Sequence, residues 1–196
     1  MQYFWSDLWQ TLARTIIWTI VSWMAGLGIG YGLYRYSWIN RVSLPIVNFL
    51  RHISPFCWLP LIIMISGIGE ISVGLVLLLA MLFNAILLSS EIFHSLPRDV
   101  REQASLDGAG KRHLFWHIEL PLAVSPLIDL FRVLWSVAWT TIIAAEMLGV
   151  QSGLGYRLLD FRYLLRYNDM LVYIVVIGGI GIATDYLLLH LKPKTG

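Results

Sequence analysis

Charge is scarce in this chain, and cysteine scarcer. Only 13% of its 196 residues are Asp, Glu, Lys or Arg, against 58% hydrophobic, and the mean hydropathy is +0.71. A chain this apolar cannot dress a globule in polar groups, which excludes a water-soluble domain and points to an all-α protein of membrane-spanning helices. The lone cysteine, Cys57, rules out an intrachain disulfide. Beside Trp58 in an apolar run, it is expected as a small buried hydrophobe. There is no Ser/Pro-rich linker, low-complexity tract or turn to soluble composition, so residues 1–196 are expected to form one transmembrane domain. The net charge of +2 says nothing of nucleic acid, and the basic residues read as topology signals. Residues 1–10 contain Asp7 and no basic residue, and no A-x-A-like site follows. That is unlike a secretory signal, so the first apolar segment is expected to remain in the mature protein.

Catalytic and nucleotide motifs are missing as well. Gly26, Gly28, Gly30 and Gly32 lie within a spanning run with no strand before them, so they suit helix packing as two overlapping G-x-x-x-G pairs rather than a nucleotide loop. Gly108-Ala109-Gly110-Lys111 mimics the end of a phosphate loop, but Arg112 replaces the required Ser/Thr and Ser105 the first glycine. His113 and His117 stand four apart without an acidic or cysteine ligand to complete a metal site, so no metal is expected. The chain is expected to be no enzyme and to bind no cofactor itself.

Five apolar stretches are present, each long enough for about 30 Å of hydrocarbon: residues 15–34, 44–69, 71–90, 121–148 and 170–191. Pro55 and Pro60 make the second a broken or kinked span, and irregular backbone at such depth is tolerated only against protein or a watery cavity. Polar residues inside spans mark function by default, so Asn84, Asp129, Arg132 and Glu146 are candidates for lining a pathway. Asp129 and Arg132 are three apart on one helical face and are expected to neutralise each other; against pathway lining by these charges, the competing account is a structural interhelical salt bridge. From Gly153 onward Arg157, Arg162 and Arg166 alternate with leucines and Phe161, an amphipathic stretch expected at the membrane interface.

Between the third and fourth spans, residues 97–119 form the longest strongly polar passage. Written out, Glu102, Ala104, Gly108, Ile118, Leu120 and Pro121 give E-x-A-x-x-x-G, nine further residues, then I-x-L-P. Ala104 and Gly108 are spaced to present one small-residue edge of a helix, and Gly108 also permits a turn between two helical pieces. The spacing resembles the cytoplasmic EAA loop of ABC-importer permeases; only Gln103 departs, where the family's second alanine usually stands. A second passage, Leu50 to Leu61 followed by Gly67-Ile68-Gly69-Glu70, resembles a signature of the subfamily serving nitrate, sulfonate, taurine, bicarbonate and some vitamin precursors, with Ser54 and Cys57 in place of proline and alanine. Arg132, Ala145-Glu146 and Ser152-Gly153-Leu154-Gly155-Tyr156 also match positions recurring there; Asp129 matches none.

The resemblance implies a type I ABC importer permease fold, with Glu102, Ala104, Gly108, Ile118, Leu120 and Pro121 coupling to a separate ATPase subunit that holds ATP and Mg. It further implies a second permease subunit, identical or paralogous, an extracytoplasmic solute-binding protein, and passage of a small solute such as nitrate, a sulfonate or bicarbonate. Related permeases often carry another helix before the first span found here. Five spans and the positive-inside rule put the N-terminus outside, with residues 97–119 and the C-terminus in the cytoplasm of an inner-membrane protein. Arg35, Arg41, Arg98, Arg101, Lys111, Arg112, Lys192 and Lys194 then fall inside, while Arg157, Arg162 and Arg166 fall outside against the rule. The alternative class is an ion-coupled transporter or channel using Asp129, Arg132, Glu146 and Asp185 as a charge relay. It leaves the loop spacing unexplained, and no inverted repeat supports it.

Overall fold

Small and polar side chains recur along α1 (Phe4–Arg35) in steps of three or four, Asp7, Thr11, Thr15, Thr19, Ser22, Gly26 and Gly30, a series that Leu33 closes. Such a stripe lies on one side of a helix and lets a neighbouring backbone approach closely. The chain is seen here as a computed structural model that describes residues 4–106, 108 and 110–190. In it the stripe is the buried face of α1: Asp7 and Thr11 meet Gly153 and Glu146, and Thr19, Gly26 and Gly30 lie against α4 (Glu70–Ser95). A Cβ on Gly26 would overlap Ala85, and one on Gly30 would overlap Ser89, whereas Gly28 and Gly32 face open space. Of the two expected G-x-x-x-G pairs, only Gly26–Gly30 packs. Ser89 Oγ seals this crossing by donating to the Gly26 carbonyl at 2.8 Å.

The paired residues fix direction. Arg14 meets Glu70, Gly26 meets Ala85, and Tyr34 meets His94, so α1 and α4 run parallel. The residues between them must therefore carry the chain back along the length of the bundle. They do so in pieces: α2 (Ser37–Arg51), a 3-10 turn (Pro55–Cys57) and α3 (Leu59–Ser66). At 1.5 Å per residue the two helices together reach roughly 34 Å, comparable with a hydrocarbon core of about 30 Å. The chain between α1 and α4 is thus a broken passage, interrupted at Pro55, before which Ser54 is extended, while Pro60 sits in the first turn of α3 where proline is tolerated. Cys57 lies in that interruption and is exposed, which corrects its expected burial. The turn directs Leu59 and Ile62, not Cys57, into the core.

Among the described residues, four single helices are long and apolar enough to cross a membrane: α1, α4, the continuous helical stretch Arg112–Gly149, and α9 (Tyr167–His190). The broken passage returns the chain between the parallel α1 and α4 without being a single helix of spanning length. α7 (Leu120–Gly149) runs antiparallel to α1, pairing Glu146 with Arg14 and Leu127 with Trp23. Val73, Leu77, Met81, Leu134 and Ile142 are fully buried in the core. In lipid such packing stabilises through close contact rather than exclusion of water. The boundaries differ from expectation chiefly at α1, which begins at Phe4 rather than Thr15. Its charges Asp7 and Arg14 are paired inside the protein, so they need not mark a membrane edge. Residue 191, and with it Lys192 and Lys194, lies outside the described residues.

Candidate functional site

The polar passage 97–119 folds as α5 (Arg98–Leu106), a turn at Gly108, α6 (Lys111–Leu114) and a π-helical turn (Phe115–Glu119) leading into α7. Glu102 is exposed and Ala104 half-buried on α5, but the helix ends before Gly108. The expected shared helical edge of Ala104 and Gly108 is therefore corrected. Gly108 serves the turn instead, at φ +83°, a left-handed conformation that costs other residues roughly 1–2 kcal/mol. Ile118 is half-buried in the π turn, and Leu120 and Pro121 stand where that turn runs on into α7. His113 and His117 stack at 4.1 Å between ring centroids.

At the opposite end of α7, Glu146 is completely buried. It accepts from Arg14 Nη1 at 2.7 Å, from Thr11 Oγ1 at 2.9 Å and from the Gly155 N–H at 2.9 Å. Arg14 also bonds Glu70 and both the carbonyl and hydroxyl of Ser152. Gly153 and Gly155 are demanded here, since a Cβ on either would collide with Glu146. Asp7 accepts from the Gly153 N–H at 3.3 Å and from Arg157 Nε at 2.9 Å. That bond to Asp7 is the main reason the Arg157 guanidinium is held still more firmly in its charged form. The network knots α1, α4, α7 and α8 (Leu154–Tyr163) together. Glu146 is satisfied within protein at all these points and lies wholly in the interior of the described residues. Likewise Arg157, expected at the membrane interface, is drawn inward to Asp7 and Asp160.

A different side of α7 faces outward. Asp129, Val133, Ser136 and Thr140 are exposed at steps of three or four, forming one seam along the helix. On one flank, a groove of about 330 Å³ between α4 and α7 is lined by Glu91, Ser95 and Asp129. Asn84 lies on the same line of α4 as Leu88 and Glu91, half-buried, its amide donating to the Ala80 carbonyl at 3.4 Å. On the other flank, a groove of about 310 Å³ between α7 and α9 is lined by Trp135, Ser136, Trp139, Thr140 and Asp185. Here Arg132 donates through Nε and Nη2 to the two oxygens of Asp185, each at 2.8 Å. This fork across helices forms because a carboxylate facing a guanidinium accepts two parallel bonds, and it stands beside the expected Asp129–Arg132 attraction. Asp129 still attracts Arg132 electrostatically. The Arg132 and Asp185 side chains are 35% and 40% exposed, a state that lipid cannot solvate.

Residues 5–196 match the family described as binding-protein-dependent transport system inner membrane component. The chain belongs to that family. A putative ABC transporter permease of Methanocaldococcus jannaschii is 28% identical over 86% of this chain, which spans 62% of that relative's length. The taurine transport system permease TauC of Escherichia coli is 27% identical, covering 97% of this chain and 69% of its own. Further relatives are named for aliphatic sulfonates, nitrate and bicarbonate. In fold, the chain is similar to one in a solved inward-facing structure of the MetNI methionine ABC transporter, with TM-score 0.77, 20% identity and 98% of both chains covered. The expected all-α, type I permease fold is therefore the one observed, in a multi-pass inner-membrane protein.

In this inner membrane component, the tertiary structure gathers Asp129 and Arg132 on one seam with Asn84 beside it, and removes Glu146 to the interior. Sequence reasoning passed over Arg14 and Glu70, which it used only as span boundaries, and over Tyr31, Tyr34 and Glu119. The regular stripe from Asp7 to Leu33 was the available signal for the first of these. No local signal marks the second group.

Proposed function

We propose that this chain is the membrane subunit of an ATP-driven importer, without catalysis of its own, and that the α7 seam faces the translocation path between it and a second permease subunit. The exposed Arg132–Asp185 pair carries the reading: an ion pair on spanning helices needs water or protein over it, not hydrocarbon. Residues 97–119 would dock on the ATPase subunit, which holds ATP and Mg, through Glu102, Ala104, Gly108, Ile118, Leu120 and Pro121. An extracytoplasmic binding protein would deliver solute at the end bearing the Arg14–Glu146 network. The N-terminus then lies outside, and the C-terminus in the cytoplasm.

For the solute, a small anion of the kind named in the relatives fits best. Asp185 uses two of the five guanidinium donors of Arg132, so a passing anion can engage the others while the pair stays intact. The alternative, an ion-coupled transporter, would move solute without any ATPase. Reconstitution with the ATPase subunit and binding protein separates these readings: uptake of taurine or nitrate is expected to require ATP. Arg132→Gln is expected to lower anion uptake by about 10–100-fold, the weight of one charge-assisted hydrogen bond. Uptake without ATP rejects the importer; import of only a neutral pyrimidine, undiminished in Arg132→Gln, rejects the anion and the role of Arg132.

A further inference from the structure

α7 is fastened to α1 near both ends by a carboxylate of its own chain segment, Glu146 at one and Glu119 at the other. Glu119 is buried at the last position of the π turn. Tyr34 donates its hydroxyl to Oε1 at 2.8 Å and Tyr31 donates to Oε2 at 3.1 Å. Both hydroxyls are aimed by ring packing: Tyr31 sits 4.5 Å from Phe115 and 5.0 Å from Phe93, and Tyr34 stacks on Phe93 at 5.8 Å. Phe115 opens the same π turn, so α1 grips that turn at its first and last residues.

This grip has a mechanical consequence. A π turn, here closed by the Leu120 N–H on the Phe115 carbonyl, carries one extra residue relative to an α-turn and is a natural place for a helix to give. Reverting to α geometry would rotate everything on one side by about 100°, a single residue's share of a 3.6-residue turn. Left alone, such a turn would absorb a push on α6 before it reached α7. A buried carboxylate is also a costly way to add stability alone, because apolar groups of similar volume do as well. Two fixed donors do, however, specify one orientation.

We infer that Glu119 is a positioning residue that locks the π turn to α1, so that a displacement of α5 and α6 reaches α1 and, through Gly26 and Gly30, α4. The inference rests on the coupling role proposed for residues 97–119. The test uses the full permease with its ATPase subunit in lipid nanodiscs, with Cys57→Ser and spin labels at the exposed positions Ile29 and Leu122. In the parent, their separation is expected to hold on ATP trapping. In Tyr31→Phe/Tyr34→Phe it is expected to change by about 2 Å or more, the scale of helix shifts in switching proteins. Glu119→Leu is to behave like the double variant, and Glu119→Gln, which still accepts from one tyrosine, like the parent. A second pair at Gln103 and Leu148 reports whether ATP moves the loop at all. No movement there in the parent rejects the coupling role, and this inference with it. Movement there, with the Ile29–Leu122 separation unaltered in the double variant or in Glu119→Leu, overturns this inference alone.

Discussion

Replacing Arg14 by methionine tests the buried network most directly. The substitution keeps length and helix propensity but removes the cation that faces Glu146 at 2.7 Å, together with the bonds to Ser152 and Glu70. Glu146 would keep Thr11 and the Gly155 N–H while losing its ion-pair partner, with no exposure through which water could compensate. Removing one partner of a buried pair costs about 3–5 kcal/mol, because the other charge is left stranded. The Glu70 side chain is 66% exposed, so its share is about 0–1 kcal/mol, and Glu70→Gln is expected to be nearly silent. For a chain of this size each kcal/mol shifts the melting temperature by roughly 2–4 °C. Thermal unfolding in detergent, followed by tryptophan fluorescence, is therefore expected to fall by about 6–20 °C in Arg14→Met, taking the product of these two ranges. Arg14→Met combined with Glu146→Gln is expected to recover part of that loss, by about 0.5–3 kcal/mol of coupling. A melting temperature for Arg14→Met no lower than that of Glu70→Gln would refute the assignment of this cluster as the structural knot of the bundle.

Three further outcomes follow from the geometry. Gly26→Val or Gly30→Val would drive α1 from α4 against Ala85 or Ser89, costing about 1–3 kcal/mol by overpacking, while Gly28→Val and Gly32→Val, which meet open space, are expected to accumulate normally; equal yields of all four on membrane blots would be the contrary result. Gly108→Val strains a left-handed turn without meeting any neighbour within 4 Å, so the permease is expected to reach the membrane yet transport less solute per ATP hydrolysed, as is Glu102→Lys; unchanged uptake in both would remove the coupling role. In intact cells with Cys57 replaced, a cysteine at Trp5 is expected to react with an impermeant thiol reagent and one at Gln103 to be protected, and the reverse pattern would invert the topology.

Composition and the spacing of a few residues determined much of this protein. Apolar runs separated by charges announce helices in a membrane whatever their partners, because every backbone polar group there must be satisfied within its own helix. The six motif positions from Glu102 to Pro121 lie within one short window, so they could be read without knowing any contact. Even the break at Pro55 and Pro60 was legible, since proline acts on its immediate neighbours. What the linear chain could not decide was which polar group faces which. Glu146 and Arg132 look alike on paper, each a charge within a span. Arg14, separated by 132 residues, pulls one into the interior, while Asp185, separated by 53, holds the other at the surface of α7. The same holds for Glu119, whose burial depends on two tyrosines of α1. Their hydroxyls reach it only because the Gly26–Gly30 crossing ties α1 against α4 and α7 packs antiparallel to α1. Helix formation in the membrane is local and therefore written in sequence; the fate of a buried charge depends on residues brought near by packing, and only the tertiary structure supplies them.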